Sequence, residues 1–579
     1  MIESNGLRPI VDSAGSWFSS SPTMAVALTC LLIAVTTRYL SGRAANATKI
    51  QADGSVSPPT LPYWIPGIGH LFSFLFNNES LLQSYRDSAK HGIVELNLAT
   101  YHNTMVFSPS LFRDVYSLKA SATENESIAF IEWDNIFGMP RQSRDAFVKS
   151  YPVLQLLVTN YVGKDEHLSK YIGGVIRQFE EHLPNLASFN PSPVDMHPWE
   201  RSARAECVMD EKGEAIVEAD LLDLIRDFVG YAVNTTFFGT ALLEVYPTLQ
   251  DDFWIFDASF LGLAAGLPRW IPWPSLTRAH IARRRLLAGL TALERALDAE
   301  DAGRRPADPA WTWRDLSDVS PGYRAIRAHL VAHGVGPEGR AAQNLGLLWA
   351  TNANANVAAF WMVLRIYAEG GELVERLRGE TEPFAKVERA GGLPGGAIRE
   401  PPRIKLDVKG LENGCPLLMS TYIETMRLDA GVQALKTVRE NCVLAESKED
   451  ESFHVPKGSF LHLLYWLHHW DPRYFPQPMS WIPDRHIRRE SMDEKATASA
   501  SRAEWGTVRP YGGGRTMCKG RKFAEKEILS LVAGILALWD IEPADKSGWK
   551  LPPRRRTAGV LAPKQNVRVR MRRRKEAWE

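Results

Sequence analysis

Cysteine is scarce in this chain: Cys30, Cys207, Cys415, Cys442 and Cys518 are the only five in 579 residues, and no two form a Cys-x-x-Cys pair. An odd, widely spaced set excludes a disulfide scaffold or zinc ribbon and points to a reducing compartment. Net charge is nearly absent too: 68 Lys and Arg against 67 Asp and Glu leave +1. No global field draws the chain to nucleic acid, so a charge-driven partner must read a local patch. No internal repeat and no flavin or nicotinamide domain is evident, so electrons for any redox reaction come from outside. What is present is an ordinary globular composition, 45% hydrophobic and 23% charged, ample for a large core. Length alone does not choose between one domain and several.

The N-terminal part carries a membrane signal. Met24–Thr37 is uncharged and mostly apolar, short of the about 20 residues that span a bilayer. Tyr39, Leu40 and a snorkelling Arg38 extend it to a transmembrane anchor over 24–40. Arg38, Arg43 and Lys49 follow the segment, which predicts a short lumenal leader at 1–23 and a cytosolic body. A cleaved signal peptide ending near Ala45-Asn-Ala47 is the rival reading, weakened by the non-basic leader. In the cytosol, the Asn-x-Ser/Thr triplets at Asn46, Asn78, Asn125 and Asn234 stay unglycosylated. The prolines and glycines of Pro58–His70 make 41–70 a linker and stiff hinge.

From 71 to 579 the pattern is mainly α with small β-sheets, including strand-like pieces at Val94–Leu98 and Val567–Met571. Asp298–Ser320 and Gly391–Arg403 are rich in breakers and read as surface loops. Ala265–Ser275 sets Trp270 and Trp273 among three prolines beside Arg269. This suits a membrane interface or a packed aromatic corner equally.

Three segments carry candidate chemistry. Arg509–Glu527 approaches Cys518 through Gly512, Gly513 and Gly514 and then opens into a helix-forming stretch. Glycines let the backbone bend close to a flat cofactor, and N–H groups at a helix start favour thiolate over thiol. Arg340–Ala368 predicts one long buried helix, apolar all round. Its centre holds Asn352 and Asn356 on one face and Asn354 on the other, each amide needing a partner or ligand. Finally, Glu424 and Arg427 share a helix face over Leu417–Leu428 at i,i+3. A proline-rich meander to Arg485 follows.

The glycine-rich run resembles the haem-binding loop of the cytochrome P450 family, Phe-x-x-Gly-x-Arg-x-Cys-x-Gly. By that likeness Tyr511 takes the Phe place, Gly514 and Gly520 match, and Cys518 is the axial ligand of the haem iron. Thr516 stands where Arg or His usually binds a haem propionate, with Arg515 beside it. The proline hinge is similar to that of microsomal members. Glu424, Arg427 and Arg485 resemble a structural Glu-Arg-Arg network, Arg439 matches a propionate-binding arginine, and Arg556–Pro563 looks like the turn over the haem, worded as in fungal members. The central helix departs from the usual Ala/Gly-Gly-x-Asp/Glu-Thr. Ala350 and Thr351 fall at the small positions, Ala353 at the acid and Asn354 at the Thr. The wording is similar to the branch with cholesterol 7α-hydroxylase, sterol 12α-hydroxylase and prostacyclin synthase.

The resemblance implies a cytochrome P450 fold preceded by a transmembrane helix, with a haem-thiolate catalytic domain at 71–579. It further implies haem b, and a monooxygenase of fungal secondary metabolism in the endoplasmic reticulum membrane. Such an enzyme hydroxylates or otherwise oxidises a terpenoid, steroid or other lipophilic molecule with O2 and electrons from NADPH–cytochrome P450 reductase. Lys519, Arg521, Lys522 and Lys526 offer that reductase a basic face. Without an acid–alcohol pair, protons come through Asn354, Thr351 and ordered water. The alternatives are a haem-thiolate isomerase or dehydratase needing no reductase, and a membrane haem-binding protein without catalysis.

Overall fold

The computed structural model describes residues 22–45, 50–89, 91–99, 101–268, 270–389, 401–446, 451–489 and 501–578. Leader residues 1–21, Asn46, Lys49, Arg269 and the breaker-rich 391–400 lie outside them. The chain falls into two compact units. One comprises Met1–Glu126, Gln433–Tyr474 and Gly513–Thr516; the other comprises Ser127–Val432, Phe475–Gly512 and Met517–Glu579.

In the first unit the apolar N-terminal run forms the helix Pro22–Ala45, longer at both ends than expected. Its 23 residues Thr23–Ala45 are long and apolar enough to cross a membrane. Arg38 does not reach outward alone: it donates to the Pro62 carbonyl and lies 5.2 Å over the Trp64 ring. Ser41 donates to the Tyr63 carbonyl at 3.1 Å and accepts from its N–H at 3.0 Å. The proline linker is thereby tied to the helix end. A five-stranded sheet follows, ordered Ile93–Leu98, Tyr101–Val106, Phe460–Leu464, Gln433–Val438, Thr123–Glu124. Its central strand pairs parallel on one side, Leu461 opposite Thr104, and antiparallel on the other, His462 opposite Leu435.

The second unit is helical. Helix Ala355–Glu369 is buried from Ala355 to Tyr367, as an all-round apolar helix must be. Pro416–Asp429 and Arg521–Leu538 pack against it. Pro274–Asp301, Pro321–Ala332 and Pro337–Asn352 are pinned together through one buried carboxylate, Glu294. It accepts from Tyr323 Oη at 2.6 Å, Asn344 Nδ2 at 2.7 Å, Arg340 Nε at 2.5 Å and Arg327 Nε at 3.2 Å. A four-stranded sheet is ordered Trp539–Pro543, Arg568–Arg573, Ala215–Asp220, Glu206–Met209. Its basic strand, expected at 567–571, is neutralised by Glu218 and Asp210. Asn234 is 1% exposed inside a helix, a burial that no glycan would permit.

The long central helix is broken, contrary to its unbroken pattern. It runs Pro337–Asn352 and resumes at Ala355. Asn354 leaves the helical region (φ −122°, ψ −49°) and spends its amide oxygen on the Val560 N–H at 2.9 Å. Short polar side chains that bond outside the helix ladder are an established source of such kinks.

Candidate active site

Cys518 stands where the glycine turn meets helix Arg521–Leu538. Gly512 and Gly514 hold φ of +71° and +62°, a region in which a Cβ is strained. In the first unit a Cβ on Gly513 or Gly514 would also strike the Tyr116 ring. The Cys518 N–H donates to the Tyr511 carbonyl at 3.0 Å, closing the turn. Tyr511 is half-buried against the buried Tyr422, their hydroxyls in contact, with Trp505 edge-on to both rings. The Cys518 side chain is exposed. Even so, burial raises its thiol pKa, while the Gly520 and Arg521 N–H groups and the Arg521 and Lys519 charges pull it down. The two facts agree for a side chain that protein atoms crowd but solvent still reaches. Helix-start N–H groups thus act as expected, though burial outweighs them.

Below this turn the ion-pair scaffold forms. Glu424 accepts from Arg427 at 2.8 and 2.9 Å, from Arg485 Nε at 3.0 Å and from the Ile482 N–H at 3.0 Å. Neighbouring Trp481 donates to Thr425 Oγ1 at 3.0 Å. His486, which the motif does not include, approaches Glu424 with Nε2 at 2.9 Å. These partners, led by Arg427, outweigh burial and hold the Glu424 carboxyl at about 2. Of the basic residues beside the turn, Lys522 is paired with Asp165 at 3.0 Å and Lys526 with Glu412, so those two charges are neutralised.

On the central helix, residues Ala341–Leu348 are buried, but Trp349 is half-buried and Ala350 exposed. Open space therefore borders the helix just before its break. Thr351 donates its hydroxyl to the Leu347 carbonyl at 3.0 Å and accepts from Asn352 Nδ2 at 3.1 Å. Asn352 Nδ2 also donates to Asn234 Oδ1 at 2.9 Å. With its oxygen on Val560, Asn354 keeps its Nδ2 hydrogens as donors. Asn356 is buried with neither amide atom paired among the described residues. Arg439 and Arg515 belong to the first unit: Arg439 pairs with Glu124, and Arg515 is exposed on the turn Gly514–Thr516.

Sequence reasoning missed three features around Ala350. A π-helical turn, Trp133–Phe137, puts Trp133 against Gly346. Phe260 stacks on Trp349 at 4.3 Å, and the Trp349 indole donates to Asp257 at 2.9 Å. A lone acid ending the apolar run Phe253–Asp257 was the available signal.

A haem iron held by a single thiolate fits this donor set. Cys518 is exposed, and the Gly520 and Arg521 N–H groups favour its charged form. Among the described residues no group of three or more His, Cys, Asp or Glu could hold a metal ion otherwise.

The comparisons with known proteins agree. The cytochrome P450 family profile matches residues 413–571. The cytochrome P450 monooxygenase efuG of Hormonema carpetanum is 25% identical over 568 residues, covering 93% of each chain. Cholesterol 7-alpha-monooxygenase of Cricetulus griseus is 28% identical over 320 residues, 54% of this chain and 56% of its own. The solved structure of retinoic acid bound cyanobacterial CYP120A1 shares the fold, with a TM-score of 0.57 at 17% identity, covering 90% of this chain and 99% of that one. For this chain the family match and the fungal relatives together support a cytochrome P450 of fungal type. It is a P450 monooxygenase, an oxidoreductase that works with haem iron.

Proposed function

We propose that this protein is a membrane-anchored haem-thiolate monooxygenase of the endoplasmic reticulum. It oxidises a lipophilic terpenoid, steroid or other secondary metabolite with O2 and electrons passed from NADPH by cytochrome P450 reductase. The observation that carries this reading is Cys518, accessible at a helix start behind a glycine turn. Haem b bound there supplies the oxygen-activating chemistry, its thiolate ligand favouring O–O cleavage. Tyr511 shapes the turn, and Gly514 and Gly520 keep it clear. Arg515 and Arg439, the latter shared with Glu124, are the guanidinium groups assigned to the propionates. On the opposite face the Nδ2 hydrogens of Asn354 orient an ordered water that brings protons. Thr351, its hydrogen committed to Leu347, accepts from Asn352 and fixes that neighbour.

The proposed layout is a lumenal leader at 1–23, an anchor at 24–40, a linker and hinge at 41–70, and a cytosolic catalytic domain at 71–579. The longer helix Pro22–Ala45 and the 82% exposed Trp270 support membrane attachment. Reconstitution with reductase tests the function: lipid-soluble extracts should yield an oxidised product only when NADPH and reductase are both supplied. Product formed without them would favour the isomerase reading.

A further inference from the structure

Where helix Leu249–Asp257 ends, the second unit holds a cavity of ≈180 Å³ lined by Asp257, Phe260, Trp273, Arg555 and Thr557, among others. An engineered apolar cavity of about 150 Å³ accepts benzene, so this one suits a single ring or the end of a chain. The cavity lies close to the reaction centre proposed above. Trp349, which holds Asp257, precedes Asn354 by five positions, in the last turn of the helix before its break. Thr557 donates to the Val560 carbonyl at 2.6 Å, inside the turn whose Val560 N–H is held by Asn354.

Asp257 is the unusual member of the lining. Its Oδ1 accepts the Trp349 indole N–H at 2.9 Å, and among the described residues no other hydrogen bond reaches the carboxylate. It is the last residue of its helix, where the exposed carbonyl ends disfavour a negative charge. Burial pushes its pKa up to about 6. Both effects work against a carboxylate here, and an acid so perturbed in a cavity is a candidate binding position. Arg555 lies within reach of its field and donates to the Ala258 carbonyl at 3.2 Å.

We propose that this cavity is a polar subsite that takes a hydroxyl group of the lipophilic substrate, with Asp257 as acceptor and Arg555 as donor, and so sets which carbon is oxidised. An ammonium group would be repelled by Arg555 and a carboxylate by Asp257; a neutral alcohol satisfies both. The apolar walls, Phe260 stacked on Trp349 and Trp273 at 48% exposure, take the ring or chain that bears it. This inference rests on the lipophilic-substrate reading and adds a hydroxyl requirement to it.

The test uses the full-length, haem-loaded protein and three matched pairs: cholesterol and cholestene, farnesol and farnesene, cyclohexanol and cyclohexane. Affinities are read from the shift of the haem absorption band and from thermal stabilisation. The alcohol of at least one pair should bind about tenfold or more tightly than its hydrocarbon. Asp257→Leu should bring that ratio near one, while Asp257→Asn keeps part of it. Equal affinities within every pair, or a preference that survives Asp257→Leu, overturn the subsite and leave the lipophilic-substrate reading standing. If no pair binds, that reading fails and the subsite with it. Should Asp257→Leu not fold, Trp349→Phe keeps the stack but frees the carboxylate. The alcohol preference should then fall several-fold; an unchanged preference overturns the proposal.

Discussion

Two regions of the second unit handle buried polarity in opposite ways. Around Glu424 one carboxylate is held by Arg427, Arg485, His486 and the Ile482 N–H. Around Asn354 a bond to Val560 keeps the helix break closed, and two residues on neither Asn356 amide atom has a partner among the described residues. The difference shows where the fold insists on one geometry and where it leaves room. A cysteine turn must present its sulfur in a fixed position, and redundancy secures that. In the proposed enzyme the helix at Asn354 serves substrate, water and oxygen, and a single-bond kink leaves its polar groups available.

The largest expected effect concerns the proposed thiolate. Cys518→Ser should abolish the red-shifted CO-bound haem band and all turnover; a variant retaining that band would break the ligand assignment outright. Next is the scaffold. Glu424→Gln leaves Arg427 buried without its counter-charge and should cost about 3–5 kcal/mol in denaturant unfolding. The wild type should also lose stability in acid. With the Glu424 carboxyl at about 2, its contribution is complete above the ordinary glutamate range near 4.3 and is lost as pH falls through about 2. The drop should be smaller in Glu424→Gln, and identical acid limbs would remove Glu424 as its source. The smallest effect belongs to the kink. Asn354→Ala leaves the Val560 N–H unpaired and should cost about 1–3 kcal/mol, with faster hydrogen exchange at Val560. A loss as large as that of Glu424→Gln would erase the contrast between the regions.

Much of this was legible in the chain. Apolar periodicity gave helix Pro416–Asp429 within one residue at each end of its expected span, and the strand Ile93–Leu98 likewise. Turn chemistry around Cys518 follows from local rules: glycines at positive φ, then a helix start. The Glu424–Arg427 pair is also local, at i,i+3. His486 escaped notice because its role depends on a meander folding back over 62 residues. The helix break escaped for a similar reason. Ala353 and Asn354 are compatible with helix by propensity, and only a distant N–H at Val560 makes leaving it worthwhile.

The sequence by itself determined the class of protein, the cysteine turn, the Glu-Arg-Arg residues and the apolar N-terminal helix. The cysteine turn, the Glu424–Arg427 pair and the N-terminal helix depend on residues near one another in the chain, whereas Arg485, 61 residues from Glu424, and the class of protein were read from the likeness to family motifs. Tertiary structure alone decided that Arg38 is tied to the linker, that Lys522 and Lys526 are paired, that Asn354 closes a kink, and that Asp257 faces a cavity beside Trp349. Each depends on contacts between segments far apart in sequence, where burial and partner geometry, not residue type, set what a side chain can do.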